Sequence, residues 1–198
     1  MKNFNFLFCA SLVLALASCK KEEVVVQVVP VTVKTVKDIA ANPSDAPSAN
    51  YTFFSFEKGV LSVADSATTN WDLAFRTTTI LVNSGTSGPG TAQAAVFDGI
   101  FDQLTEVPAN LTFTSDSPTA KAIPTGSGKG WYNYNTTTNI ITPIAGKVMF
   151  VKTSSGKYAK FEIVSYYKGA PTTVGAGAVG RYYTLRYAYQ PDGTTSFK

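Results

Sequence analysis

No histidine occurs anywhere in this chain of 198 residues. That one absence removes every His-based triad, a histidine general base and the commonest metal ligand. Sulfur is nearly as scarce: the 2 cysteines are Cys9 and Cys19, and the 2 methionines are Met1 and Met149. Charge is sparse too. Lysine and arginine number 17 against 13 aspartates and glutamates, a net charge of +4 spread along the chain. This is too weak and too scattered to serve as a nucleic-acid footprint. The acids are dispersed and form no recognisable catalytic pair. Apolar spacing never holds a 3.6-residue period for more than a turn or two, so long amphipathic helices are excluded as well.

What is present begins with a targeting pattern. Lys2 supplies a positive start, Phe4 to Ala17 is mostly apolar around Leu12-Val13-Leu14, and Leu16-Ala17-Ser18-Cys19 ends the run in small residues before a cysteine. This order describes a secretory signal peptide. The run is too short to cross a bilayer, which takes about 20 residues. A cysteine directly after the small residues is the mark of a bacterial lipoprotein signal, so cleavage is expected before Cys19, with lipid attached to that residue. Several acyl chains at one end give stable membrane anchoring. Lys20-Lys21-Glu22-Glu23, directly behind it, resembles the surface-export signal of Bacteroidetes lipoproteins. The expected address is therefore the outer membrane, at the cell surface. Cys9 would leave with the signal, so no free thiol or disulfide would remain and the fold must be held by packing alone. With neither imidazole nor thiolate, a zinc enzyme or a Cys/His hydrolase is excluded, and nothing in the sequence supports an enzyme of another kind.

The rest reads as all-β, in a single domain of antiparallel sheets. Val24–Lys37 is rich in valine and threonine with Pro30 inside it, as in an edge strand. Asp38–Asn50 has a linker's small, proline-containing composition. Residues 1–18 are therefore assigned to the signal peptide, 19–50 to the lipidated N-terminus and linker, and 51–198 to the β domain. Tyr51–Glu57 followed by Gly59 and Val60–Val63 carries a hairpin signal, and Trp71–Phe75 and Thr77–Val82 form a β-branched run. Ala94–Phe101 is short and apolar, and Thr105–Gly130 is mostly loop. Lys147–Lys152, Tyr158–Tyr167 and Arg181–Gln190 are three clear strands, the first two joined by the turn Ser154-Ser155-Gly156-Lys157. Within the second, Lys160 and Glu162 alternate with Phe161 and Ile163, which predicts one wet and one dry face.

Two glycine-rich segments invite a phosphate-loop reading. Neither Asn83–Gly90 (NSGTSGPG) nor Gly126–Gly130 supplies the Gly-Lys-Ser/Thr that opens a helix in such loops. Both read as flexible hairpin or surface loops. The tyrosines Tyr132, Tyr134, Tyr182, Tyr183, Tyr187 and Tyr189 recur at strand spacing, which favours core packing over the lining of a flat ligand pocket.

Taken in order, these segments resemble one family. Tyr51-Thr-Phe-Phe-Ser-Phe-Glu-Lys-Gly59, Trp71-Asp-Leu-Ala-Phe75, Asn83-Ser-Gly85 with Gly88 and Gly90, Gly130-Trp131, Val148-Met-Phe-Val-Lys152, Gly156-Lys-Tyr-Ala-Lys160 and Arg181–Tyr189 are similar to the HmuY-like haem-binding lipoproteins of Bacteroidetes. The resemblance runs from about Tyr51 to Tyr189. It implies a hand-shaped all-β fold and a lipid anchor, with haem clamped between strand-borne loops. It further implies iron acquisition, with an outer-membrane transporter as receiving partner. Haem iron takes a side chain such as His, Met, Cys or Tyr. The founding member uses two histidines, and methionines are ascribed to relatives. One founder histidine follows the Trp-Asp-x-Ala-x segment, where this chain has Arg76, whose guanidinium has no lone pair to give but can pair with a propionate. The other lies upstream of Gly130-Trp131, where Ser115–Lys129 holds no His, Met, Cys or Tyr. Met149 falls inside a strand and reads as core. Tyr132 is the nearest phenolate. The sequence thus points to a haem- or porphyrin-binding surface lipoprotein with altered ligation, Arg76 and Tyr132 being the candidate ligand-binding residues. The alternative is a lipid-anchored β module with a non-haem ligand or a protein partner.

Overall fold

A computed structural model describes Pro30–Lys198. The signal segment, Cys19 and Lys20–Glu23 lie outside the described residues. The strands are β1 (Val33–Ala40), β2 (Thr52–Ser55), β3 (Gly59–Val60), β4 (Leu73–Arg76), β5 (Thr79–Val82), β6 (Gln93–Asp98), β7 (Tyr132–Asn135), β8 (Ile140–Pro143), β9 (Lys147–Lys152), β10 (Tyr158–Tyr167) and β11 (Gly180–Gln190). Among the described residues, helix is limited to short 3-10 segments at Val63–Ala67 and Phe101–Gln103. No helix among the described residues is long and apolar enough to cross a membrane. The all-β expectation holds, and every strand pairing is antiparallel.

Five strands form one sheet in the order β1-β11-β10-β9-β6, four form a second in the order β3-β2-β4-β5, and β7-β8 is a separate hairpin. The three C-terminal runs fall where alternation placed them. The edge strand β1 comes from the N-terminal segment that composition divided between a strand and a linker. It pairs Val33 with Ala188 at one end and Ala40 with Tyr182 at the other. A bulge between Val36 and Ile39, one extra residue on β1, interrupts the ladder, and Asp38 adopts φ 57° there.

The main core lies between the two sheets. Phe54, Phe56, Leu73, Phe75 and Val82 of the smaller sheet meet Met149, Val151, Phe161, Tyr183 and Leu185 of the larger, all fully buried. Edge-on aromatic contacts, such as Phe54 with Tyr187 at 5.8 Å, knit the layers. Burial of this kind supplies most of the folding free energy, at roughly 25 cal/mol per Å² of apolar surface.

The outer face of the larger sheet is not wet as the alternation predicted. A second cluster of Phe101, Val148, Phe150, Ala188 and Phe197 covers it. Lys160 is only 4% exposed beneath this cover. Its Nζ donates to the carbonyls of Phe101 at 2.5 Å and Leu104 at 2.8 Å, and the ring of Phe101 lies 4.2 Å away. Burial pushes the Lys160 ammonium below its ordinary pKa. Glu162 pairs with Arg186, which also reaches Asp102. Beyond Ile163 the alternation breaks at a register shift, leaving Val164 exposed and Ser165 buried.

The sandwich has two ends. At the tip are the β4–β5 turn (Arg76–Thr79), Ala41 at the end of β1 and Arg181 at the start of β11, joined by Thr77 N–H to Ala41 O at 2.7 Å and Ala41 N–H to Arg181 O at 2.8 Å. At the base are the start of β1, the β2–β3 turn around Glu57, the β9–β10 turn and the end of β11.

Candidate functional site

The tip gathers the segments that sequence reasoning singled out. Strand β4 delivers Arg76 into a turn where Thr77 adopts φ 50°. A β-branched residue in the left-handed region is an outlier that costs of order 1–3 kcal/mol and persists only where its surroundings over-determine it. Here both peptide groups are fastened: Thr77 N–H donates to Ala41 O, and Tyr183 Oη donates to Thr77 O at 2.8 Å.

One residue on, Trp131 Nε1 donates to Thr78 O at 3.1 Å. The loop upstream of Gly130-Trp131 is therefore docked on the very turn that carries Arg76. Asp116 holds the start of this loop. Its carboxylate, fully buried, accepts from Val82 N at 3.2 Å and Ala122 N at 2.8 Å. Gly130 closes the loop against Pro124, since a Cβ there would collide with the Pro124 carbonyl. Between these two anchor points lies a cleft of about 460 Å³ lined by Ser117, Thr119, Lys121, Pro124, Thr125 and Lys129. Lys121 donates to Ser87 Oγ at 3.1 Å; no ion pair involves Lys129 among the described residues.

Beneath the loop is a nest of rings. Trp131 packs on Tyr132 at 4.8 Å, Tyr183 at 5.1 Å and Tyr166 at 5.6 Å. Burial raises the Tyr166 hydroxyl to about 12 and drives Tyr183 well above its ordinary value. Both stay protonated across the physiological range, so Tyr183 serves as a donor to Thr77.

Of the two candidate ligand-binding residues, Arg76 is half-buried, its Nε is enclosed without a hydrogen-bond partner, and its guanidinium lies 6.0 Å from the Tyr51 ring. Tyr132 is 8% exposed and belongs to the core nest. The two are linked through Trp131 and Thr78, yet neither lines the loop cleft. Met149 is completely buried in β9, opposite Val96 and Phe161. Its thioether is core, as its strand position implied. No cluster of three or more His, Cys, Asp or Glu side chains occurs among the described residues. Reading the sequence missed Lys129, Asp116 and the strained Thr77. The first two sit in a long loop with no periodicity, and a positive φ at threonine leaves no mark in composition.

The molecule is thus an antiparallel β sandwich with a loop-built cleft beside a strained turn. The HmuY protein family model matches residues 48–187, and the chain belongs to that family. Among solved structures it is similar to an HmuY-like haem-binding protein of Bacteroides vulgatus (19% identity, 81% of this chain and 92% of that one, TM-score 0.48). It is also similar to a lipoprotein of Bacteroides fragilis (16%, 80% and 88%, TM-score 0.45) and to the apo form of an HmuY analogue from Tannerella forsythia (15%, 81% and 96%, TM-score 0.44). No curated protein sequence matches it.

The donors at the tip do not fit two-sided ligation of haem iron. Arg76 offers no lone pair, the loop from Ser115 to Lys129 holds no ligating side chain, and Met149 is enclosed. Tyr132 is of a kind that binds iron, as are Tyr166 and Tyr183, whose hydroxyls burial holds protonated. What the tip does supply is positive charge in Arg76, Lys121 and Lys129, set above an aromatic floor.

Proposed function

We propose that this protein is a lipid-anchored surface lipoprotein that captures haem or a related porphyrin at the tip, without the family's usual pair of iron ligands. Family membership makes this the first reading. The observation that carries it is the docking of Trp131 on Thr78, which brings the two ligand-bearing segments of the family together in one place. In this reading the macrocycle is held by its carboxylates, paired with Arg76 and Lys129, and by ring contact, with Tyr132 as the candidate phenolate. The anchor is Cys19, the β domain is the capturing unit, and an outer-membrane transporter is the recipient. The role in this reading is binding.

Haemin added to the full chain is expected to give a saturable, shifted Soret band. Loss of the sharp band in Tyr132→Phe assigns direct ligation. A band that survives Tyr132→Phe but fails in Arg76→Ala together with Lys129→Ala assigns carboxylate pairing. A broad, unsaturable band, like that of haem on an unrelated protein, would sink the proposal and leave a non-haem ligand or a protein partner as the reading.

A further inference from the structure

A second cleft, of about 430 Å³, opens at the base beside the glycine-rich segment Asn83–Gly90. Its walls include Ser84, Thr91, Gln93, Ser115 and Lys152, and no aspartate or glutamate lines it among the described residues. Lys152 ends β9 opposite Gln93 and Tyr158, and is half-buried. It forms no ion pair among the described residues. Ser84 is 2% exposed, and its Oγ is enclosed without a hydrogen-bond partner. A buried hydroxyl left unpaired lowers stability, and such a group in a folded protein calls for an explanation.

The segment is a surface loop, as its composition suggested, and is tethered at both of its ends. Asn83 is fully buried, and its amide donates to Trp71 O at 2.8 Å and Thr68 O at 3.0 Å while its Oδ1 accepts from Gly90 N at 2.9 Å. A Cβ on Gly90 would collide with Ser154 Oγ and Asn83 O. Thr91 N–H donates to Ser154 Oγ at 3.1 Å, tying the loop to the β9–β10 turn. The nearest acid by sequence, Asp116, spends its carboxylate on Val82 and Ala122. A fixed wall of hydroxyls, one amide and one unpaired ammonium, with no competing carboxylate, is a donor set for an oxyanion.

The geometry points to a second binding site here, for a phosphate monoester or a chemically similar tetrahedral oxyanion. Lys152 is the counter-charge and the Ser84 hydroxyl the buried donor. The site shares no lining residue with the tip cleft and does not depend on porphyrin binding. The phosphoryl group has two sources, a lipid headgroup or a small phosphorylated metabolite, which share this chemistry.

Calorimetric titration of the full chain at neutral pH and low salt, with inorganic phosphate, glycerol 3-phosphate and glucose 1-phosphate, tests the site. Saturable binding is expected, weakened about tenfold or more by Lys152→Gln, because a hydrogen bond to a charged partner is lost. The same charge change on an exposed strand, Lys37→Gln, is expected to leave it unchanged. Ser84→Ala is expected to weaken binding while leaving the unfolding temperature equal or higher, since an unpaired buried hydroxyl is removed. A structural hydroxyl would move the unfolding temperature down. Preference for glycerol 3-phosphate assigns a lipid headgroup, and preference for glucose 1-phosphate assigns a sugar phosphate. No saturable heat with any of the three, or binding indifferent to Lys152→Gln, would overturn the proposal.

Discussion

At the tip, Trp131 is buried among tyrosines and hangs from the carbonyl of a threonine in a strained turn. At the base, Trp71 is buried beside Phe53 at 5.1 Å, its Nε1 bonded to Ser66 O, and the next residue, Asp72, turns a carboxylate inward. Both ends bury one indole and fasten one turn, but with different materials. The tip uses phenol hydroxyls beside the one buried carboxylate of Asp116 and stores backbone strain, and Lys129 there forms no ion pair among the described residues. The base uses carboxylate and amide side chains to satisfy backbone groups: Asp72 accepts from Phe56 N at 2.9 Å, and Asn83 donates to Trp71 O and Thr68 O while accepting from Gly90 N. Buried polar groups satisfied in this way rigidify a structure. The difference separates an end whose loop is pinned at a few points from an end locked by a network.

The largest expected effect comes from removing the two indoles. Trp71→Ala and Trp131→Ala should each cost about 3–5 kcal/mol in urea denaturation, the range for a fully buried large ring. Hydrogen exchange should tell them apart. Trp131→Ala is expected to deprotect residues 117–131 while β9–β11 stays protected, whereas Trp71→Ala lowers protection throughout. Equal, global deprotection by both would erase the distinction between the ends.

A second effect belongs to the base. Burial raises the Asp72 carboxyl from 3.8 to about 6, against the pull of its bonds to Phe56 N and the Ser55 hydroxyl. Between those values the folded chain binds a proton that the unfolded chain has released. Asp72's contribution is therefore fully present at the acid end and is lost as pH rises from about 4 to 6, by about 1.4 kcal/mol for each pH unit crossed. Asp72→Asn should flatten that slope in stability against pH while keeping an acceptor for Phe56. A slope that survives the substitution would place the proton elsewhere.

The smallest effect belongs to the tip. Thr77→Gly should relieve strain of about 1–3 kcal/mol and lose roughly 0.5–1 kcal/mol to added backbone entropy. A rise in stability on the order of 1 kcal/mol is expected, read as a higher urea midpoint. A fall would mean that Thr77 is not strained and that the turn at the tip is as well satisfied as the base.

Much of the sandwich was legible because period-two alternation is a local signal. Phe161, Ile163, Leu185 and Tyr187 declared their face directly. The outer face of the same strands was not legible. Lys160 reads as solvent-facing until Phe101 and Phe197, from distant segments, are folded over it. The hairpin β7–β8 went unnoticed because its strands are only four residues long, and in β7 Asn133 and Asn135 alternate with tyrosines. At the site, Arg76 and Tyr132 could be named from their places in a resemblance, but not their settings. That Tyr132 lies under Trp131, that Asp116 clamps the loop and that Gly90 packs instead of flexing are all consequences of long-range contact. Composition carries no trace of them.

Strand β1 enters beside Ala188 at the base and leaves beside Tyr182 at the tip. A chain tethered upstream of it is therefore held by its heel. A leash from Cys19 to Pro30 cannot exceed roughly 40 Å, at about 3.4 Å per extended residue. With the lipid anchor proposed above, the base would sweep close to the bilayer and the tip would face away from it. Cargo arriving from outside would meet Arg76 first, while the phosphate-type cleft would look back toward the headgroups. The direction in which an edge strand runs would thus decide which end of the molecule the environment sees.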